Sequence, residues 1–200
     1  MINANKNGVQ VKNSTSAILE GSGVKKRTLD INSLLIVAVL FAAGCILDFT
    51  AGKALAIAGN IKPNFLIASY CLSILLIRPK VYQGAIIGAL AATLMQITAT
   101  IPFMNYLCDI VAAVVMTLLV LAYVRFFPKD ANRKVSVFPL IATFITTVVS
   151  GMIFASVAST FIMHSPKTMI VMAPIVFGTA VFNAVIVGVL HTPLKFVIRK

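Results

Sequence analysis

The sequence predicts an all-α integral membrane protein, a bundle of six transmembrane helices with both termini in the cytoplasm. Three observations predict it: composition, the spacing of apolar stretches, and the placement of basic residues. The chain has 200 residues, 60% of them hydrophobic and 11% charged, with a mean hydropathy of +1.00. Soluble domains carry about 25% charged residues, so this chain belongs in lipid. A crossing takes about 20 apolar residues, so the length fits six crossings with their connections and leaves no room for a built-in ATPase.

Met1 to Asp30 is rich in Asn, Ser, Gly and Lys, shows no hydrophobic periodicity and reads as a flexible cytoplasmic tail without the apolar core of a cleavable signal. Residues 31–200 read as a single transmembrane domain. Its apolar stretches are Ile31 to Phe49, Ile61 to Ile77, Val81 to Ile101, Tyr106 to Phe127, Val135 to Met163 and Met169 to Ile198. Breaks fall at Gly52 and Gly59, at Arg78-Pro79-Lys80, at Pro102, at Pro128-Lys129-Asp130, and at His164-Ser165-Pro166-Lys167. Backbone facing lipid must satisfy its own hydrogen bonds, so the stretches are expected as helices. The second is the exception in length, because its uninterrupted apolar part runs only from Phe65 to Ile77, with Lys62-Pro63-Asn64 at the interface. Pro is well placed to open such a short helix.

Lys and Arg in the connections set the orientation. With both termini inside, Lys25, Lys26, Arg27, Arg78, Lys80, Arg125, Lys129, Arg133, Lys134, Lys195, Arg199 and Lys200 lie on the cytoplasmic side, twelve against the three outside, Lys53, Lys62 and Lys167. The net charge of +12 is therefore mainly a topology signal rather than a nucleic-acid footprint.

Several chemistries are missing from the sequence. It has no G-x-x-x-x-G-K-[S/T] phosphate loop, no G-x-S-x-G elbow and no H-E-x-x-H. Cys45, Cys71 and Cys108 stand singly in apolar stretches and read as small core residues. His164 and His191 fall near opposite faces of the membrane, so no metal or other cofactor site is expected. An ion-coupled carrier usually keeps a carboxylate deep in its bundle. Here Asp48 and Asp109, the acidic residues nearest the membrane, both lie toward the outer side.

Polar residues gather toward that outer side: Gln96, Thr98 and Thr100 at the end of the third helix, Asn105 and Asp109 opening the fourth, and Ser156, Ser159 and Thr160 on the fifth. Asn60, Lys62 and Asn64 stand before the second helix, and Asn183 lies mid-way along the sixth. Polar groups in a membrane bundle are costly unless paired, so their convergence predicts a binding pocket open to the outside. Some have a structural reading: Ser and Thr often bond the preceding turn, Lys62 can snorkel to the interface, and Asn183 can bond between helices. Stripes of small residues, Ala38 and Ala42, then Gly84, Gly88 and Ala92, then Ala180, Ala184 and Gly188, permit close helix packing.

Six helices in this length, no ATPase, and Ala38-x-x-x-Ala42 in the first helix resemble the substrate-binding S components of energy-coupling factor (ECF) importers. Val39-Leu40-Phe41-Ala42-Ala43, Ile61-Lys62-Pro63-Asn64-Phe65-Leu66, Ile101-Pro102 with Asn105 and Asp109, and Phe182-Asn183-Ala184 narrow the resemblance to the tryptophan transporter (TrpP-type) family, over Leu34 to Lys200. The chain departs from that family's pattern at Asn64, in the Pro102 to Asp109 spacing, and at Ile110, where a basic residue would follow Asp109. The resemblance implies capture of tryptophan outside and delivery through a transmembrane coupling subunit docked on Ala38 and Ala42, with two partner ATPases supplying the work. It suggests Asp109 for the ammonium, Lys62 or the start of the second helix for the carboxylate, and Asn105 or Gln96 for the indole N–H. Asn64 and Asn183 join the polar set, Phe65, Phe103 or Tyr106 supply an apolar wall, and Thr50 to Asn60 a lid. Alternatives are an S component for another aromatic or vitamin-like substrate, a stand-alone ion-coupled carrier, and a non-transporting scaffold. The chain contains no tryptophan.

Overall fold

The computed structural model describes residues 31–52, 64–97, 101, 103–127, 137–162, 164 and 167–198. Expectations for the 1–30 tail, the Thr50 to Asn60 lid beyond Gly52, Lys62, Thr98 and Thr100 lie outside them. Within them the chain is helical: α1 (Ile31–Leu47), α2 (Phe65–Ile77), α3 (Val81–Met95), α4 (Met104–Phe126), α5 (Phe138–Val157) and α6 (Lys167–Ile198). The ends of α1 and α5 widen into π-helical turns, Asp48–Gly52 and Ala158–Ile162.

Four of the six helices, those containing Ser33–Gly52, Met104–Phe126, Phe138–Phe161 and Met169–Phe196, are long and apolar enough to cross a membrane. The other two are shorter than the six-crossing expectation. α2 has 13 residues, about 20 Å at 1.5 Å per residue, against about 30 Å of hydrocarbon. Its position explains how that length suffices. α2 packs against every other helix, and its residues from Phe65 to Leu75 are all buried, so it is sheathed by protein rather than by lipid. An apolar helix with no polar face is what such a central position demands.

The 15-residue α3 ends at Met95, short of Ile101. Gln96 and Ile97 follow it in a turn. Within the helix, Gly84 and Gly88 remove side chains from the contact and let α3 lie flat on α4. A Cβ on Gly88 would sit 2.7 Å from both the Ala113 Cβ and the Asp109 carbonyl oxygen.

α1 is peripheral, packing mainly on α2. Val37, Phe41, Gly44 and Asp48 form its buried stripe, and Ala38, Val39, Ala42 and Ala43 its exposed face. α6 is the longest helix, 32 residues with Pro174 and Pro193 inside it. Since each Pro removes a backbone donor, Pro174 leaves the Ile170 carbonyl without its usual helical partner.

Charge is segregated along the bundle. Of the described acidic residues, Asp48 lies at the end of α1 and Asp109 near the start of α4, the end at which Lys167 opens α6, while Arg78, Lys80, Arg125 and Lys195 lie at the opposite end. The site occupies the acidic end.

Candidate functional site

A cavity of about 310 Å³ opens where α2, α4 and α6 begin and α3 and α5 finish, lined by residues from Asn64 to Thr179. Its polar lining is Asn64, Asn105, Asp109, Thr147, Ser150 and Thr179. Ile67, Met95, Ile101, Phe154, Ile175 and Val176 supply the apolar walls, with Cys108 and Gly151 between. A few placed polar groups in an apolar cleft of about 300 Å³ or more is the usual form of a small-molecule site. Helices α2 to α6 all contribute and α1 does not.

Asn64 caps α2. Its Oδ1 accepts from the Ile67 N–H at 3.2 Å, which orients the carboxamide and leaves its NH2 as the donor for a guest. The first turn of α2 adds N–H groups that the helix itself cannot satisfy, together with the positive end of its dipole. These donors make this corner of the cavity electrostatically positive.

Asp109 is set one turn into α4 and is only 3% exposed. Ser150 Oγ donates to its Oδ1 at 3.4 Å, longer than the 2.5–3.0 Å of a strong O–H···O bond, so the carboxylate is loosely held. The fully buried Tyr70 lies within electrostatic reach of it, beside Ser150. Among the described residues lining the cavity there is no Lys, Arg or His. Burial favours the neutral form of such a carboxyl, and a cation brought against it stabilises the ionised form.

Polar groups continue beneath the cavity. Asn183, one turn along α6 from Thr179, has no exposure, and neither of its amide atoms has a hydrogen-bond partner; the Thr147 hydroxyl is also buried and unbonded. A fully buried amide with two unmet atoms is expensive, so the floor of the site holds unspent hydrogen-bonding capacity.

The structure thus brings Asn64, Asn105 and Asp109 onto one cavity and sets Asn183 just below it. The other sequence candidates lie elsewhere. Gln96 stands in the turn after α3, half-buried and off the lining, with an unbonded Nε2. Phe65 faces α6, edge-on to Phe182 with ring centroids 6.0 Å apart. Phe103 has a left-handed backbone at φ 61, is 76% exposed, and stacks on Tyr106 at 6.3 Å. Tyr106 in turn shares a 3.0 Å hydrogen bond with Thr93 on the exposed α3–α4 seam. Phe154 is the aromatic ring that lines the cavity. Ser156 and Ser159 bond the Met152 and Ser156 carbonyls, the structural alternative open to such residues. Sequence reasoning passed over Phe154, Thr179, Thr147 and Ser150, the last two belonging to the stripe Thr143, Thr146, Thr147 and Ser150, all buried. Its i, i+3, i+4, i+7 spacing is the signal that marks one inward helical face.

Apolar spanning helices around a small polar cavity define a multi-pass membrane protein that handles a small molecule within its bundle. The model of one family, described as tryptophan transporter TrpP, matches residues 30–199. The chain belongs to this family of membrane transporters. Neither the curated proteins nor the solved structures yield a match to it.

Proposed function

We propose that the chain is the substrate-binding S component of an ECF-type importer in the plasma membrane, with both termini cytoplasmic, and that its substrate is tryptophan. The observation that carries this reading is the charge pattern of the cavity. A buried carboxylate at Asp109 and a capped helix N-terminus at Asn64 line one cavity of about 310 Å³, which suits the ammonium and carboxylate of an amino acid. Asp109 binds the ammonium. Asn64 and the α2 N-terminus bind the carboxylate, and Lys62, two residues earlier in the sequence, is assigned to the same group. The apolar walls and Phe154 take the indole, and Asn105 or Thr179 accepts from its N–H. Membership of the tryptophan transporter family supports the choice of substrate.

Energy for uptake comes from outside the chain, since its sequence carries no phosphate loop for ATP. Ala38 and Ala42, both on the exposed face of the peripheral α1, form the flat surface on which a transmembrane coupling subunit docks, and two ATPases act through that subunit. Inward delivery follows from tilting of the S component in the bilayer.

Because the protein contains no tryptophan, all indole emission in a titration comes from added ligand. Tryptophan bound among Ile67, Phe154 and Val176 should show a blue-shifted, saturable emission at micromolar concentration. Emission that rises linearly with ligand and keeps its aqueous maximum would remove tryptophan as the substrate.

A further inference from the structure

The floor of the cavity carries hydrogen-bonding groups that neither the head-group anchors nor the helices use. We propose that Thr147 and Asn183 form a subsite for a hydroxyl on the aromatic ring of the guest, so that the cavity takes ring-hydroxylated aromatic amino acids and prefers them to the unsubstituted parent. This subsite builds on the amino-acid reading of the cavity and extends it from the head of the ligand to its ring.

Thr147 lines the cavity and is 2% exposed. A Ser or Thr inside a membrane helix ordinarily directs its hydroxyl to the carbonyl one turn earlier. This chain does so repeatedly: Ser69 donates to the Phe65 carbonyl, Ser73 to that of Ser69, Thr117 to that of Ala113 and Thr179 to that of Ile175. On the inward face of α5 the neighbours of Thr147 are engaged across helices, Thr146 with the Met116 sulfur and Ser150 with Asp109. Thr147 does neither, and its Oγ1 is buried without a partner. A hydroxyl turned away from its own helix at a cavity wall keeps a donor and an acceptor for whatever enters.

Asn183 brings the same property from another helix. Gly151 faces Val176 and Gly188 faces Leu140, so α5 and α6 run antiparallel in a register that sets Asn183 level with the turn from Thr143 to Thr147. Its neighbours along the inward face of α6, Ala180, Ala184 and Val187, are buried and apolar. Neither Oδ1 nor Nδ2 is bonded, so the interhelical hydrogen bond open to such a residue is not made. For the fold alone an apolar side chain of similar size serves better, because two unmet amide atoms in a sealed interior are costly.

The chemistry of the pair selects the group it takes. Between them, the Thr147 hydroxyl and the Asn183 carboxamide offer donors and acceptors together. An indole N–H only donates, and a bare ring edge does neither. A ring hydroxyl donates to the Thr147 oxygen and accepts from Asn183 Nδ2, which satisfies both residues at once. Phe154, Ile175 and Val176 form apolar wall nearer the mouth, so a polar ring edge finds its partners at the floor.

The test is calorimetric titration of the full-length chain in detergent with tryptophan and with 5-, 6- and 7-hydroxytryptophan, read as the ratio of affinities. At least one isomer should bind the wild type about fivefold or more tighter than tryptophan, the value of one net hydrogen bond. That ratio should fall to about one in T147V, which keeps the shape of the side chain, and in N183L. It should persist in S156A, whose hydroxyl bonds the Met152 carbonyl away from the cavity. N183L should also raise the thermal midpoint of the unliganded chain, and T147V carries the test by itself if N183L does not fold. No isomer tighter than tryptophan, a ratio unchanged in T147V, or an equal fall in S156A would overturn the subsite and leave the tryptophan reading standing. Binding of a hydroxylated isomer without measurable binding of tryptophan would support the subsite and remove tryptophan as the substrate.

Discussion

Replacing Asp109 by Asn separates a ligand-binding carboxylate from a structural one. The side chain is 3% exposed and its Ser150 contact is 3.4 Å long, so an isosteric amide keeps the packing and loses only a weak bond. The ammonium of the ligand loses an opposite charge. At about 3 Å and an effective dielectric near 20 the gross attraction is roughly 5 kcal/mol, and about half of it is offset by desolvation of the two ions. A net loss of about 3 kcal/mol corresponds to roughly 150-fold weaker binding. The unliganded protein behaves differently, because a buried ionisable group is replaced by a neutral one. Its thermal midpoint should hold or rise by about 2–4 °C, the equivalent of about 1 kcal/mol in a protein of this size. Calorimetric titration with tryptophan and with indole-3-propionate, which lacks the ammonium, supplies the contrast. D109N should cost tryptophan about 150-fold and leave indole-3-propionate unchanged or better bound. Unchanged tryptophan affinity, or equal losses for both ligands, would refute the ammonium assignment.

Asn64→Ala removes the α2 cap, which should lower the thermal midpoint by the equivalent of about 1 kcal/mol; calorimetry should show tryptophan weakened more than tryptamine, which has no carboxylate. Gly88→Ala places a methyl 2.7 Å from the Asp109 carbonyl and the Ala113 Cβ, atoms that cannot rotate away. Overpacking of this kind costs about 1–3 kcal/mol, read as a lower thermal midpoint together with weaker tryptophan binding as α4 shifts. Ala38→Trp with Ala42→Trp enlarges two exposed positions, so tryptophan affinity should stay within about twofold while co-purification of the coupling subunit and ATPases is lost.

The long helices were legible because length and hydropathy alone mark them, as in Met104–Phe126 and Phe138–Phe161. The central placement of α2 was only half legible. Its short apolar core from Phe65 to Ile77 stood out, but burial by every other helix is a property of the assembled bundle. At the cavity, Asn64, Asn105 and Asp109 announced themselves as polar residues opening apolar helices. Phe103 and Tyr106 looked equally suitable, yet the left-handed backbone at Phe103 turns that ring outward. Which aromatic lines a pocket depends on the rotation of each helix about its axis, and an almost uniformly apolar helix does not encode that rotation. Thr147 and Ser150 were obscured for a different reason: Ser and Thr in membrane helices usually bond their own preceding turn, so composition hides them and only their common face identifies them.

The central claim is that this chain binds substrate and a separate machine drives it. Radiolabelled tryptophan uptake into proteoliposomes, with the chain alone or together with its coupling subunit and ATPases, tests that claim most directly. The account predicts saturable binding but no accumulation by the chain alone under a proton or sodium gradient, and accumulation on addition of ATP only when all subunits are present. Gradient-driven accumulation by the chain alone, indifferent to ATP and to the A38W/A42W change, would contradict it.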